Sequence, residues 1–112
     1  MMDRTSVSAE TVEIGSADGD TLAIRGALTF ATAQRACADG ERALAAGTQT
    51  RLDLAGVAHA DSAGLACVIA LAAAANRAGR CLRVVALPEG LRALAEVCGV
   101  AALLEAAPRP AA

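Results

Sequence analysis

The residue types able to do chemistry gather in one stretch, Arg51 to Leu65, which reads RLDLAGVAHADSAGL. It holds Asp53, the only histidine (His59), Asp61 and Ser62. A serine, a histidine and an aspartate so close invite a hydrolase reading. However, a nucleophile elbow needs G-x-S-x-G, and here Ser62 is followed by Ala63-Gly64 and preceded by Ala60-Asp61. Triad geometry is also set by the fold and rarely by neighbours in sequence. The alternative chemistry is simpler. Asp61 and Ser62 fall where a strand gives way to a helix, so one of them caps the helix. The same place offers free backbone N–H groups and the positive end of the helix dipole, which suit a phosphorylated hydroxyl or a polar partner. Spacing leaves the cap and the functional hydroxyl both open at Ser62, and Asp53 reads as a hydrogen-bonding carboxylate at a strand end. His59 reads as a loop residue without an assigned role.

The elements that must position this junction follow from periodicity. Val12 and Ile14 alternate with polar residues over 11–16, Leu22 and Ile24 over 21–25, and Ala17-Asp18-Gly19-Asp20 turns between them, which predicts a hairpin. A helical pattern covers 30–46, with Thr29 as N-cap and Gly47 past its end. A strand is expected over 51–57, a helix from Asp61-Ser62 to Gly79, a strand over 81–87 and a helix from Pro88-Glu89 to before Gly99, followed by a short apolar piece over 100–106. The order β-β-α-β-α-β-α predicts an α/β fold: a mixed sheet of four to five strands with helices packed against it, in a single domain over 11–106. Residues 1–10 and 107–112 read as flexible ends.

Composition narrows the classes. Alanine supplies 31 of the 112 residues and there is one Phe, no Trp and no Tyr, so the core is broad but shallow. A net charge of -2, with no aromatic stacking set, argues against a nucleic-acid binder. The longest apolar run, Ala63 to Ala75, falls short of the roughly 20 residues a spanning helix needs, which points to a cytoplasmic protein. The cysteines (Cys37, Cys67, Cys81, Cys98) lack ligand spacing and read as small buried hydrophobes. No metal or cofactor is expected, nor an enzyme activity. The Arg77-Arg80-Arg83 group reads as a solvated edge.

The helix after Ser62 carries a second clue. With Leu65, Val68, Ile69, Ala72 and Ala73 toward the sheet, Cys67, Ala70, Leu71 and Ala74 lie opposite, and no charge appears before Arg77. A covering helix, dilution of the polar face by alanine, or a docked partner each accounts for that surface.

The Leu52-Asp53-Leu54 strand, the Asp61-Ser62-Ala63-Gly64-Leu65 junction and the order of elements resemble the STAS domain family. In that family's anti-sigma-factor antagonists, the Ser at the place of Ser62 is phosphorylated by a partner kinase. Those proteins usually carry an acidic residue where this chain has Thr29. The string Gly26-Ala27-Leu28-Thr29-Phe30-Ala31-Thr32, and Gly99-Val100 before a Leu-Leu pair, resemble the STAS subunits of Mla phospholipid transporters, the MlaB group. Members of that group often have Thr at the place of Ser62. The resemblance implies a non-enzymatic cytoplasmic subunit that binds no lipid itself. It would support an ABC ATPase (MlaF-like), and through it a membrane permease. The implied contact surface is Ser62, Asp61, Ala63, Gly64, Cys67, Ala70 and Leu71, with Thr29 and Asp53 in supporting loops. An anti-sigma-factor antagonist switched by phosphorylation of Ser62 is the alternative.

Overall fold

A computed structural model describes residues 11–101 and Leu104. The elements are β1 (Val12–Asp18), β2 (Thr21–Leu28), α1 (Ala33–Ala46), β3 (Arg51–Ala60), α2 (Ser62–Arg77), β4 (Arg83–Val85) and α3 (Glu89–Val97). The expected ends, 1–10 and 107–112, and most of the apolar piece at 100–106 lie outside the described residues.

Among the described residues the sheet has four strands in the order β1-β2-β3-β4. The hairpin pairs β1 with β2 antiparallel, and β2, β3 and β4 run parallel. This is the mixed α/β sheet that the element order predicts. Consecutive parallel strands lie side by side, and crossovers of one hand then place α1 and α2 on the same face. Alternation along the strands agrees. Leu22, Leu52 and Val84 align on the covered face and join one core with the helices, whereas the aligned Thr21, Arg51 and Arg83 belong to the other face. That core is built mainly of leucines, with Leu22, Ile24, Leu44, Leu52, Leu54, Val68 and Leu91 essentially fully buried.

Several boundaries differ from the sequence reading, three of them with a clear physical cause or consequence. α1 begins at Ala33, and not at Phe30, because Thr32 organises the preceding turn. Its hydroxyl donates to the Ala27 carbonyl at 2.7 Å and accepts the Thr29 N–H at 3.0 Å, holding residues 29–32 out of the helix. β3 runs on to Ala60 and takes in His59, which is therefore a strand residue opposite Ala27 and not a loop residue. β4 stops at Val85, well short of Leu87, since Ala86 adopts a left-handed φ of 59°.

Two further expectations are corrected. Arg80 does not belong to a solvated edge: it is half-buried, donating to the Gln49 carbonyl at 2.7 Å and to the Leu44 carbonyl near the end of α1. α1 has no basic residue in its own last turn, so Arg80 brings the cation its dipole favours from beyond α2. Of the cysteines, Cys67 is buried and Cys37 half-buried, but Cys81 and Cys98 are exposed, because they flank short elements near the surface.

Candidate functional site

The site sits at the carboxyl ends of the parallel strands β2 and β3. Register places Leu28 opposite Ala60, so the two strands end together and the turns leaving them lie side by side. Asp61 follows at once, and its N–H donates to the Leu28 carbonyl at 3.3 Å.

Asp61 is the N-cap of α2. One carboxylate oxygen accepts the N–H groups of Ala63 at 2.9 Å and Gly64 at 3.2 Å, satisfying two of the orphan donors of the first turn. The other accepts the N–H of Phe30 at 3.0 Å, across 31 residues of chain. A single carboxylate thus joins the β2–α1 turn to the start of α2. The Phe30 N–H bond is the largest cause that holds its pKa below the ordinary value, with the Gly64 and Ala63 N–H groups adding to it against some desolvation. Ionised and engaged with three donors, Asp61 is a positioning group and not a base.

Gly64 is required here for packing. A Cβ at this position would stand 2.2 Å from the Leu28 carbonyl oxygen, so only glycine lets α2 start so close to the end of β2.

What this frame presents outward is small. Ser62, the first residue of α2, is exposed, and Phe30 in the adjoining turn is 86% exposed although it is the only aromatic residue of the chain. Ser62, Ala66 and Ala73 line the open side of α2, with Ile69 and Ala70 half-buried beside them.

The sequence reading therefore located the junction correctly but assigned the helix faces wrongly. Cys67 is 3% and Leu71 0% exposed, so neither can meet a partner. They face α1, which covers that side of α2 because both crossovers share one face of the sheet. Ala73, expected against the sheet, is exposed in their place. Ala63 and Ala70 remain at the rim, and Gly64 is buried. Thr29 lies in the turn next to Phe30, where its carbonyl accepts the N–H groups of Thr32 and Ala33. Asp53 does not support the site. It lies in β3, about 25 Å before Asp61 by strand rise, and accepts the Ala55 N–H at 2.9 Å. Phe30 is the residue that the sequence reading missed. Its signal was a lone aromatic beside polar residues in a stretch between strand and helix.

Among the described residues no group of three His, Cys, Asp or Glu side chains could hold a metal ion. No described helix is long and apolar enough to cross a membrane.

The four-stranded mixed sheet with its helices is a fold shared with a solved anti-sigma factor antagonist. The chain is similar to SpoIIAA in its unphosphorylated form, at a TM-score of 0.64 and 18% identity, covering 81% of this chain and 83% of that one. It is also similar to the Bacillus cell fate determinant SpoIIAA in the phosphorylated form, at 0.60 and 17%, covering 80% and 85%. No curated protein sequence matches it. The family model described as Mlab, STAS domain, matches residues 14–105, and the chain belongs to that family. STAS domains mediate protein–protein interactions, and members are in general regulatory or accessory domains with no catalysis of their own.

Proposed function

We propose that the chain is a docking subunit whose Phe30–Ser62 face binds the ABC ATPase of a phospholipid-transport system of the Mla type. It would then work at the cytoplasmic side of the inner membrane, held there through the ATPase and its permease. The observation that carries this reading is the lone aromatic side chain, 86% exposed on a turn whose backbone is fastened by Asp61. An exposed ring on a fixed backbone loses little entropy on binding, which suits an interface anchor. Around it Ser62 and Ala66 are small and uncharged, so a partner surface can approach closely. Membership of the Mlab family, taken with the MlaB-group resemblance of Gly26 to Thr32, supports an ATPase as that partner.

The test is co-purification with the MlaF-like ATPase of the same organism, followed by its ATP hydrolysis rate with and without this chain. Retention on the ATPase, lost on Ser62→Arg, supports docking. Recovery of an anti-sigma kinase and no ATPase overturns it.

A second reading rests on one observation: the fold is shared with a protein solved in both phosphorylated and unphosphorylated forms, and Ser62 is an exposed hydroxyl at a helix start. Under it, Ser62 carries a phosphate whose level varies with growth state, which mass spectrometry of protein taken from cells reads directly.

A further inference from the structure

Behind the docking face, α1 and α2 meet at a close crossing. A Cβ on Gly40 would stand 2.7 Å from a Leu71 methyl, so the absence of a side chain at Gly40 brings the two helices together. One turn earlier on each helix stands a cysteine, Cys37 three positions before Gly40 and Cys67 four before Leu71. Spacings of three and four keep residues on one face of a helix, so each cysteine lies on the face that its helix turns to the crossing. Both cysteines are free, and Cys37 packs against the core that contains Cys67.

The two differ in access. Cys67 is 3% exposed, whereas Cys37 is half-buried, with its sulfur 3.5 Å from a Glu41 carboxylate oxygen. We propose that Cys37 and Cys67 form an oxidisable pair, closed by a peroxide into an intramolecular disulfide that fastens α1 to α2. The reachable sulfur reacts first. The Cys37 thiolate attacks the peroxide O–O bond, taking one oxygen as a sulfenic acid and releasing the other as water or alcohol once it is protonated. The Cys67 sulfur then displaces that oxygen as a second water, and the S–S bond forms. Two thiols give up two electrons and two protons, and one peroxide is reduced. Burial raises both thiols, Cys67 to about 12, so little thiolate is present at neutral pH and the link forms slowly. The disulfide would hold the helix that carries Ser62 against α1. It is independent of what binds at the docking face.

The test uses the full chain with Cys81→Ser and Cys98→Ser, which removes the two exposed thiols. After hydrogen peroxide, free thiols fall from two to none and the chain stays monomeric on a non-reducing gel. The tryptic peptides 36–42 and 52–77 appear as one cross-linked species that dithiothreitol separates. Adding Cys37→Ser, a half-buried change that leaves the core residue in place, abolishes the link. A Cys37 sulfinic acid with the Cys67 thiol intact, or a dimer joined through Cys37, overturns the proposal.

Discussion

The Asp61 carboxylate accepts the backbone N–H of Phe30 at 3.0 Å, so the residue that caps α2 also sets where the exposed ring stands. Two turns 31 residues apart in sequence are thereby one structural unit, and changes at either end should be felt at the other.

Phe30→Ala should leave the fold intact, because a ring that is 86% exposed contributes little buried area. Its effect should fall on binding: a central aromatic anchor is worth about 2 kcal/mol or more, which is roughly a 30-fold weaker Kd. Isothermal titration against the proposed ATPase partner, with Tm measured in parallel, separates the two effects.

Asp61→Asn should flatten the acid end of the stability curve. Folding holds the Asp61 carboxyl below its ordinary value of 3.8, first through the Phe30 N–H. A depressed folded pKa means the native state favours the carboxylate. That contribution is complete above 3.8 and disappears as pH falls through the lower folded value. Urea unfolding at pH 7 and pH 3 should show the wild type losing more stability on acidification than the variant. Asp61→Ala, which removes the cap altogether, should cost about 1–2 kcal/mol at pH 7.

Gly64→Ala should be costly although it adds one methyl group to a helix. The added Cβ meets the Leu28 carbonyl at 2.2 Å, and backbone cannot swing aside as a side chain can. A loss of about 2 kcal/mol is expected, read from the denaturation midpoint. The ordinary preference of helices for alanine over glycine predicts the opposite sign, so the direction alone decides.

Arg80→Ala should destabilise by about 1–2 kcal/mol, since it strips a charged donor from the Leu44 and Gln49 carbonyls. Arg80→Lys should recover only part of this, because an ammonium cannot reproduce the fork that spans two carbonyls. Hydrogen exchange at the end of α1 should rise in both variants.

The sequence reading went furthest where the physics is local. Alternation of Val12 and Ile14 with polar neighbours, and of Leu22 and Ile24, marked the hairpin, and a cap at Asp61 or Ser62 was recognisable from residue type and place, with the structure selecting Asp61. The start of α1 was misread because Thr29 and Thr32 are both acceptable caps. Only the bond from Thr32 to the Ala27 carbonyl, made once β2 is in place, selects between them.

By itself, then, the sequence determined the element order, the mixed sheet, the junction at Asp61 and Ser62, and the resemblance that the family model bears out. Each of these rests on periodicity or residue type over a few neighbouring positions. Tertiary structure decided which side of α2 is open. An alanine-rich helix has no charged stripe to declare its solvent face, and Cys67 and Leu71 became core only because α1 packs on the same side of the sheet. It also decided that Phe30 stands outside, since the fastening carboxylate comes from a residue far along the chain. Contacts of that range depend on strand register, which no local pattern encodes.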